Sequence, residues 1–251
     1  MYLRTIHTDT DIPTLLQFIR DNALGVLLTA IPSEQYPLIQ LSHIPWVLDT
    51  EDTSEIGKLR GHIARANPQS KNIMDTLKAS SSQTLSEEVS ILFNGPAHHY
   101  ITPKWYVDTK PATGKVVPTW NYSAVQVYGT AKVYYDLKDP ATSEYISKQV
   151  KDLSNQSETK IMGYTGQNGA EEPWTVEEAP ERYVDLLSRS IVGIEVEITR
   201  LEGKFKMSQE DNEADRRGVI DGLNAVGSNV TKAVAQTVEA RGALKATRSR
   251  R

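Results

Sequence analysis

Arg65, Asn67, Ser70 and Lys71 place two cations, an amide and a hydroxyl within seven residues. Asn67-Pro68 reads as a helix start, with Asn67 as N-cap and Pro68 in the first helical turn. A helix N-terminus presents free backbone N–H groups and the positive end of the helix dipole. With flanking cations, that is the chemistry a phosphate monoester requires. Taken alone, the same residues also describe a capped surface helix beside an ordinary basic side chain.

A second group follows at Val117-Pro118-Thr119-Trp120-Asn121-Tyr122, with Trp105-Tyr106 upstream. Broad aromatic faces beside amide and hydroxyl groups suit a planar heterocycle, which needs area to stack on and a few directed hydrogen bonds at its edge. The plainer alternative is tryptophan in a core or interface. Lys204 and Lys206 alternate with Phe205 and Met207, so both cations share one strand face and could balance a phosphate or a reduced ring; a solvated edge is the other reading. Of the five histidines, only His98 and His99 are adjacent, and neighbours on a strand point to opposite faces, so no metal site is expected. No Gly-x-Ser-x-Gly elbow, Walker loop or Gly-x-Gly-x-x-Gly word occurs, which removes the usual routes to hydrolase, nucleotide-hydrolysing or dinucleotide chemistry.

The elements that must position these groups are mostly strands. Gly57 to Ala64 alternates apolar and polar residues and leads into the Asn67 cap, after which Ile73, Met74 and Leu77 form a helical apolar face. Ile12, Leu15, Leu16 and Ile19 give an earlier helix one apolar face, capped by Thr10 or Asp11. Gly25–Ile31, Leu38–Asp49 (with a break or edge at Pro45) and Val89–Phe93 read as strands. The longest pattern runs from Tyr122 to Asp136, with small residues at Gly129 and Ala131 where another backbone should come close. Ser-rich residues 79–88 read as a surface insertion, Pro140–Leu153 as a helix and Asn155–Thr175 as a loop. Pro180–Ser190 reads as a short helix. Ile191 onward alternates and can continue past Gly203; Asp211–Leu223 and Asn229–Ala246 read as helices, with a frayed end at Arg248–Arg251. Strands dominate the middle and helices the ends, which predicts a mainly β fold with helical decoration, an antiparallel barrel and not a βαβ array.

The totals set bounds. The 251 residues are 39% hydrophobic, enough for a substantial core. The net charge of −4 opposes strong nucleic-acid binding. Without cysteine there is neither disulfide framework nor thiolate metal site. No apolar run approaches the roughly 20 residues that span a bilayer, and the opening Met1-Tyr2-Leu3-Arg4 turns polar at once, so no membrane partner and a cytoplasmic setting are expected, nuclear if the chain is a eukaryotic regulator.

Several long words together resemble the PaiB-type family of negative transcriptional regulators, which have an FMN-binding split-barrel fold. They are Gly61–Gln69, Phe93–Pro96, Tyr100–Tyr106, Gly114–Tyr122, Pro173-Trp174 with Ala179-Pro180, Ile191–Glu195, and Leu201–Gln209 followed by Asp215-Arg216 and Gly218-Val219. They occur in the family's order over residues 1–224, leaving 225–251 as a helix and basic tail outside the match. The resemblance implies a Greek-key split β-barrel, a homodimer, and FMN at the subunit interface. It implies that Arg65 and Asn67, with neighbouring backbone, serve the phosphate; His62, Ser70 and Lys71 are further cofactor-binding candidates from the strand-to-helix reading. Ser42 and His43 would lie near the cofactor, and Thr119, Trp120 and Asn121, with Ser208 and Gln209, would approach the ring or ribityl chain. Ser70 stands where the family commonly has an aromatic residue, and Glu210 where it has asparagine. The implied function is that of a flavin-binding regulator. The alternatives are a flavin-dependent oxidoreductase and a haem-binding or haem-degrading relative on the same barrel. Direct DNA contact is a further implied partnership, against which the charge argues.

Overall fold

The computed structural model describes residues 1–50 and 56–248. Its strands are β1 (Thr8–Asp9), β2 (Leu24–Ala30), β3 (Ile39–Pro45), β4 (Val47–Asp49), β5 (Lys58–Ala64), β6 (Val89–Asn94), β7 (His99–Ile101), β8 (Thr119–Tyr134) and β9 (Ile191–Lys206). The helices are α1 (Ile12–Asp21), α2 (Pro68–Ser80), α3 (Thr109–Thr113), α4 (Pro140–Gln156), α5 (Glu181–Ser188), α6 (Glu213–Val226) and α7 (Asn229–Arg248). The tail residues Ser249–Arg251 lie outside the described residues. The chain is thus mainly β with helical decoration, as the patterning predicts. Its contacts divide it into two compact units, each assembled from non-adjacent segments.

One unit comprises residues 19–93 and 127–201. Its sheet runs β3-β2-β6-β8-β9-β5-β4, and the β2–β3, β2–β6, β4–β5 and β5–β9 pairings are antiparallel. The first and last strands of that order, β3 and β4, are separated in sequence by Trp46 alone. A sheet whose two ends are joined by one residue cannot lie flat; it must curl until its ends meet. Gly61 on β5 records that closure, because a Cβ there would sit 2.8 Å from Ile44 Cγ2 of β3 and 2.9 Å from the ring of Trp46, which is fully buried. Leu27, Leu59, Ile91, Phe93, Val127, Val133, Val192 and Val196 fill the inner side. Burying each contributes roughly 1.5–3 kcal/mol. Gly129 meets the expectation of a close backbone: a Cβ there would collide with the Glu197 carbonyl of β9.

Two segments differ from the sequence reading. The 79–88 stretch is not only surface. Leu85 is buried, its N–H donates to Ala131 O at 2.9 Å, and Gln83 O accepts from Val133 N at 2.7 Å, so the segment edges β8. Leu85 stands among eight polar residues with only Ala79 as a second apolar one, which leaves no periodic signal. The expected loop after Leu153 instead begins as helix, α4 continuing to Gln156 and then through a π-helical turn, Ser157–Met162. Ser157 and Thr159 hydroxyls donate back to the Leu153 and Asn155 carbonyls, at 2.8 and 2.6 Å, which carries polar residues through helical turns.

The other unit comprises residues 1–18, 94–126 and 202–251. Here β7 pairs with the start of β8, and β1 with the end of β9. Helices α6 and α7 supply Val219, Leu223, Val234 and Val238 to its core. Helix α7, in the stretch outside the family resemblance, thus belongs to this unit. Among the described residues, no helix is long and apolar enough to cross a membrane.

Candidate functional site

The sequence-predicted site residues fall into two clusters, one in each unit. In the 19–93/127–201 unit, β5 delivers the chain to α2 as expected. Asn67 Oδ1 accepts from Gln69 N at 2.9 Å, capping α2 with Pro68 in its first turn. Its amide nitrogen donates to Ser42 Oγ on β3 at 3.0 Å. The N-terminus of α2 is therefore fastened to the strand that also carries His43, which is exposed. Lys71 is exposed in the first turn of α2, whereas Ser70 is fully buried and its hydroxyl has no partner among the described residues. His62 Nδ1 is likewise buried without a partner, and burial lowers the pKa of this ring, favouring neutral imidazole.

Arg65 is held differently from the clasp that the spacing suggests. Its guanidinium donates to three backbone carbonyls: Tyr135 O at 2.9 Å, Arg189 O at 3.3 Å and Ile191 O at 3.4 Å; Nη1 lies 3.3 Å from Met74 Sδ. Most of its N–H groups are engaged, so it fixes the end of β5 to the segments around it. Sequence could not reveal this, because the acceptors are main-chain atoms 70 or more residues away.

In the other unit, Lys206 Nζ donates to Thr119 Oγ1 at 2.6 Å and to Trp120 O at 3.2 Å. Asn121 is fully buried; its nitrogen donates to Ser208 Oγ at 3.1 Å, and its Oδ1 has no partner among the described residues. Ser208 has φ +58°, a left-handed backbone that side chains disfavour by about 1–2 kcal/mol. The following Gln209 bridges the bend, its Oε1 accepting from Met207 N at 2.6 Å and its nitrogen donating to Phe205 O at 2.5 Å. Trp120 is more than half exposed and lies edge-on to Tyr100, with ring centroids 6.1 Å apart.

This second cluster also gathers titratable groups, of which His7 and Asp211 carried no site signal in the sequence. His7, almost fully buried, shares a 2.9 Å hydrogen bond with Glu210, which lies 3.5 Å from Lys206. Burial opposes Glu210 ionisation, but the His7 bond and the Lys206 charge outweigh it and its pKa is lowered. Asp211 is pushed up to about 6, chiefly by burial and then by the charge of Glu210. Tyr106 is pushed up to about 12 by burial and by Asp211, Glu210 and Asp215.

Because the folded Asp211 pKa exceeds the unfolded value of about 3.9, its contribution to stability is full below that value and is lost as pH rises through about 6. Glu210 has the opposite sign, its contribution being lost as pH falls. Asp211→Asn should therefore gain stability relative to the parent chain between pH 4 and 7, as read by urea midpoints across that range. An unchanged difference would show that Asp211 titrates normally.

The unit of residues 19–93 and 127–201 is thus a curled, mainly antiparallel sheet with a capped helix N-terminus fastened to one of its strands. The chain belongs to the family described as "Putative FMN-binding domain", whose model matches residues 1–200. It is 56% identical over 259 residues to an uncharacterized protein of Aspergillus fumigatus, covering 98% of this chain and 99% of that one. It is 25% identical over 239 residues to the "Protease synthase and sporulation protein PAI 2" of Bacillus subtilis, covering 95% and 97%. Among solved structures, a conserved hypothetical protein of Mycobacterium tuberculosis aligns over 85% of this chain and 95% of its own, at 14% identity and a TM-score of 0.48.

Proposed function

We propose that the chain binds FMN as a split-barrel homodimer, with the flavin phosphate at the N-terminus of α2, and acts as a regulator for which flavin is a sensory or structural ligand. The observation that carries this reading is the first turn of α2. It combines a capped helix N-terminus, the exposed cation of Lys71 and the hydroxyl of Ser70, unpartnered among the described residues, all tied to β3 through Asn67 and Ser42. Those groups fit a phosphate monoester. Arg65 serves as a positioning residue, and His43 and His62 border the ligand. Thr119, Trp120, Asn121, Ser208 and Gln209 are proposed for the ring or ribityl chain on the strength of the family resemblance. A bound flavin would supply its own redox chemistry; the residues of this chain would hold and orient it.

The dimer is proposed from an apolar sheet face. Leu24, Ile39 and Leu41 are 59%, 58% and 59% exposed, and Val26 and Leu28 lie between them on the same side of the β2–β3 pair. A contiguous apolar face on a short chain is an interface signature. A second copy is the occupant that the resemblance implies, and His43 pairs with Val26 on that face, beside the proposed flavin site. Leu41→Glu should convert the dimer to monomer by light scattering; a parent chain that is monomeric at micromolar concentration contradicts the reading.

The phosphate assignment is tested by FMN fluorescence quenching. Lys71→Ala should weaken FMN about tenfold, the loss of one charge-assisted contact, and leave riboflavin, which has no phosphate, almost unaffected. Equal losses for both ligands, or none, would reject it. Bleaching of bound FMN by NADH or NADPH would favour the oxidoreductase alternative over a regulatory role.

A further inference from the structure

A cavity of about 830 Å³ lies in the 19–93/127–201 unit, separate from the α2 N-terminus, between α4 and the strands β4, β5, β8 and β9. Five cations and three carboxylates line it. Most of these charges answer one another. Arg60 is paired with Asp49 and Asp152, Lys148 with Asp152 at 2.6 Å, and Lys58 with Glu195 at 3.5 Å. Three lining groups remain. Arg20 donates only to the Thr50 hydroxyl, at 3.1 Å, and Lys132 has only the Tyr134 ring, 4.9 Å from its centroid; neither has a carboxylate partner among the described residues. Glu144 has no cation partner among them either.

We infer that this cavity is a binding site for a nucleoside diphosphate. Two cations from separate elements, α1 and β8, without a carboxylate partner among the described residues, suit two phosphoryl groups of one ligand. A carboxylate without a cation suits a vicinal diol, whose hydroxyls donate to it, as acidic residues do for ribose. The volume falls within the range of about 300–1,000 Å³ typical of ligand sites. Tyr134 already stacks on the Tyr145 ring 4.0 Å away and has Lys132 Nζ 4.9 Å from its centroid, so recognition rests on the diphosphate and sugar and not on stacking of the base there.

The test is calorimetric titration of the full chain, free of flavin, with ADP, GDP and inorganic pyrophosphate. ADP and GDP should bind alike and tighter than pyrophosphate. Arg20→Ala and Lys132→Ala should each weaken ADP about tenfold, and Lys132→Arg should retain binding, which separates lost charge from lost folding. Glu144→Gln should weaken ADP without weakening pyrophosphate. Lys71→Ala, which alters the proposed flavin site, should leave ADP unchanged. No heat of ADP binding, or ADP binding indifferent to both Arg20→Ala and Lys132→Ala, overturns the inference. So does displacement of ADP by FMN, which would make the cavity the flavin site itself.

Discussion

Arg60→Ala should destabilise the chain by about 3 kcal/mol, the lower end of the 3–5 kcal/mol range for breaking a buried pair. Arg60 is 5% exposed and cross-links three elements. From β5 it pairs with Asp49 of β4, donates to Asp152 of α4 at 2.7 Å, and donates to Gln149 Oε1 at 3.2 Å. Burial works against the guanidinium charge, but both carboxylates hold it firmly protonated. Removing it leaves the two carboxylates facing each other and empties a buried volume. Water can reach both of them, each about a third exposed, which keeps the loss at the lower end. Arg60→Met, which refills the volume, should lose less. Asp152 has a lowered pKa, so its share of the stability is present above the unfolded value and disappears as pH falls. The gap between the parent chain and Arg60→Ala, measured by urea denaturation, should therefore narrow toward pH 3. A gap independent of pH would show that packing, and not charge, accounts for the loss.

Arg241→Ala should be at least as damaging, by about 3–5 kcal/mol. Arg241 on α7 pairs with Asp9 of β1, which is 4% exposed, and its guanidinium lies 3.4 Å from the centroid of the Phe205 ring. Phe18 meets the same ring edge-on at 5.5 Å. Unlike the acids around Arg60, Asp9 has almost no access to water, so it would be left buried beside an uncovered aromatic face. Asp9→Asn in the Arg241→Ala background should recover part of the loss, because the uncompensated charge is then gone. No recovery in the double variant would mean that the Phe205 contact dominates.

What could be read from sequence follows from the range of each signal. The β5–α2 junction was legible because a period-two strand, an Asn cap and a helical apolar face are all local. Gly129 was legible because a small residue in a long strand announces a near backbone. The curl of the sheet was legible as a class, an antiparallel barrel, but its route of closure was not, since that depends on β3 and β4 being opposite ends of one strand order while neighbours in the chain. Leu85 was hidden by its polar surroundings. The placement of Arg65 was hidden for a chemical reason: side-chain spacing says nothing about backbone carbonyls supplied by Tyr135, Arg189 and Ile191. His7 and Glu210 meet across 203 residues, so their bond too had no sequence signal. Glu210 differs from the asparagine that the resemblance implies, and its contacts with His7 and Lys206 show what holds that carboxylate in this chain.

The most direct measurement is the absorbance spectrum of the purified chain titrated with FMN, followed by size-exclusion with light scattering. The expected result is a flavin spectrum that co-migrates with a dimer at one FMN per chain and that free phosphate at high concentration displaces. A chain that stays colourless after incubation with excess FMN, whether monomer or dimer, would contradict the proposal that the N-terminus of α2 holds a flavin phosphate.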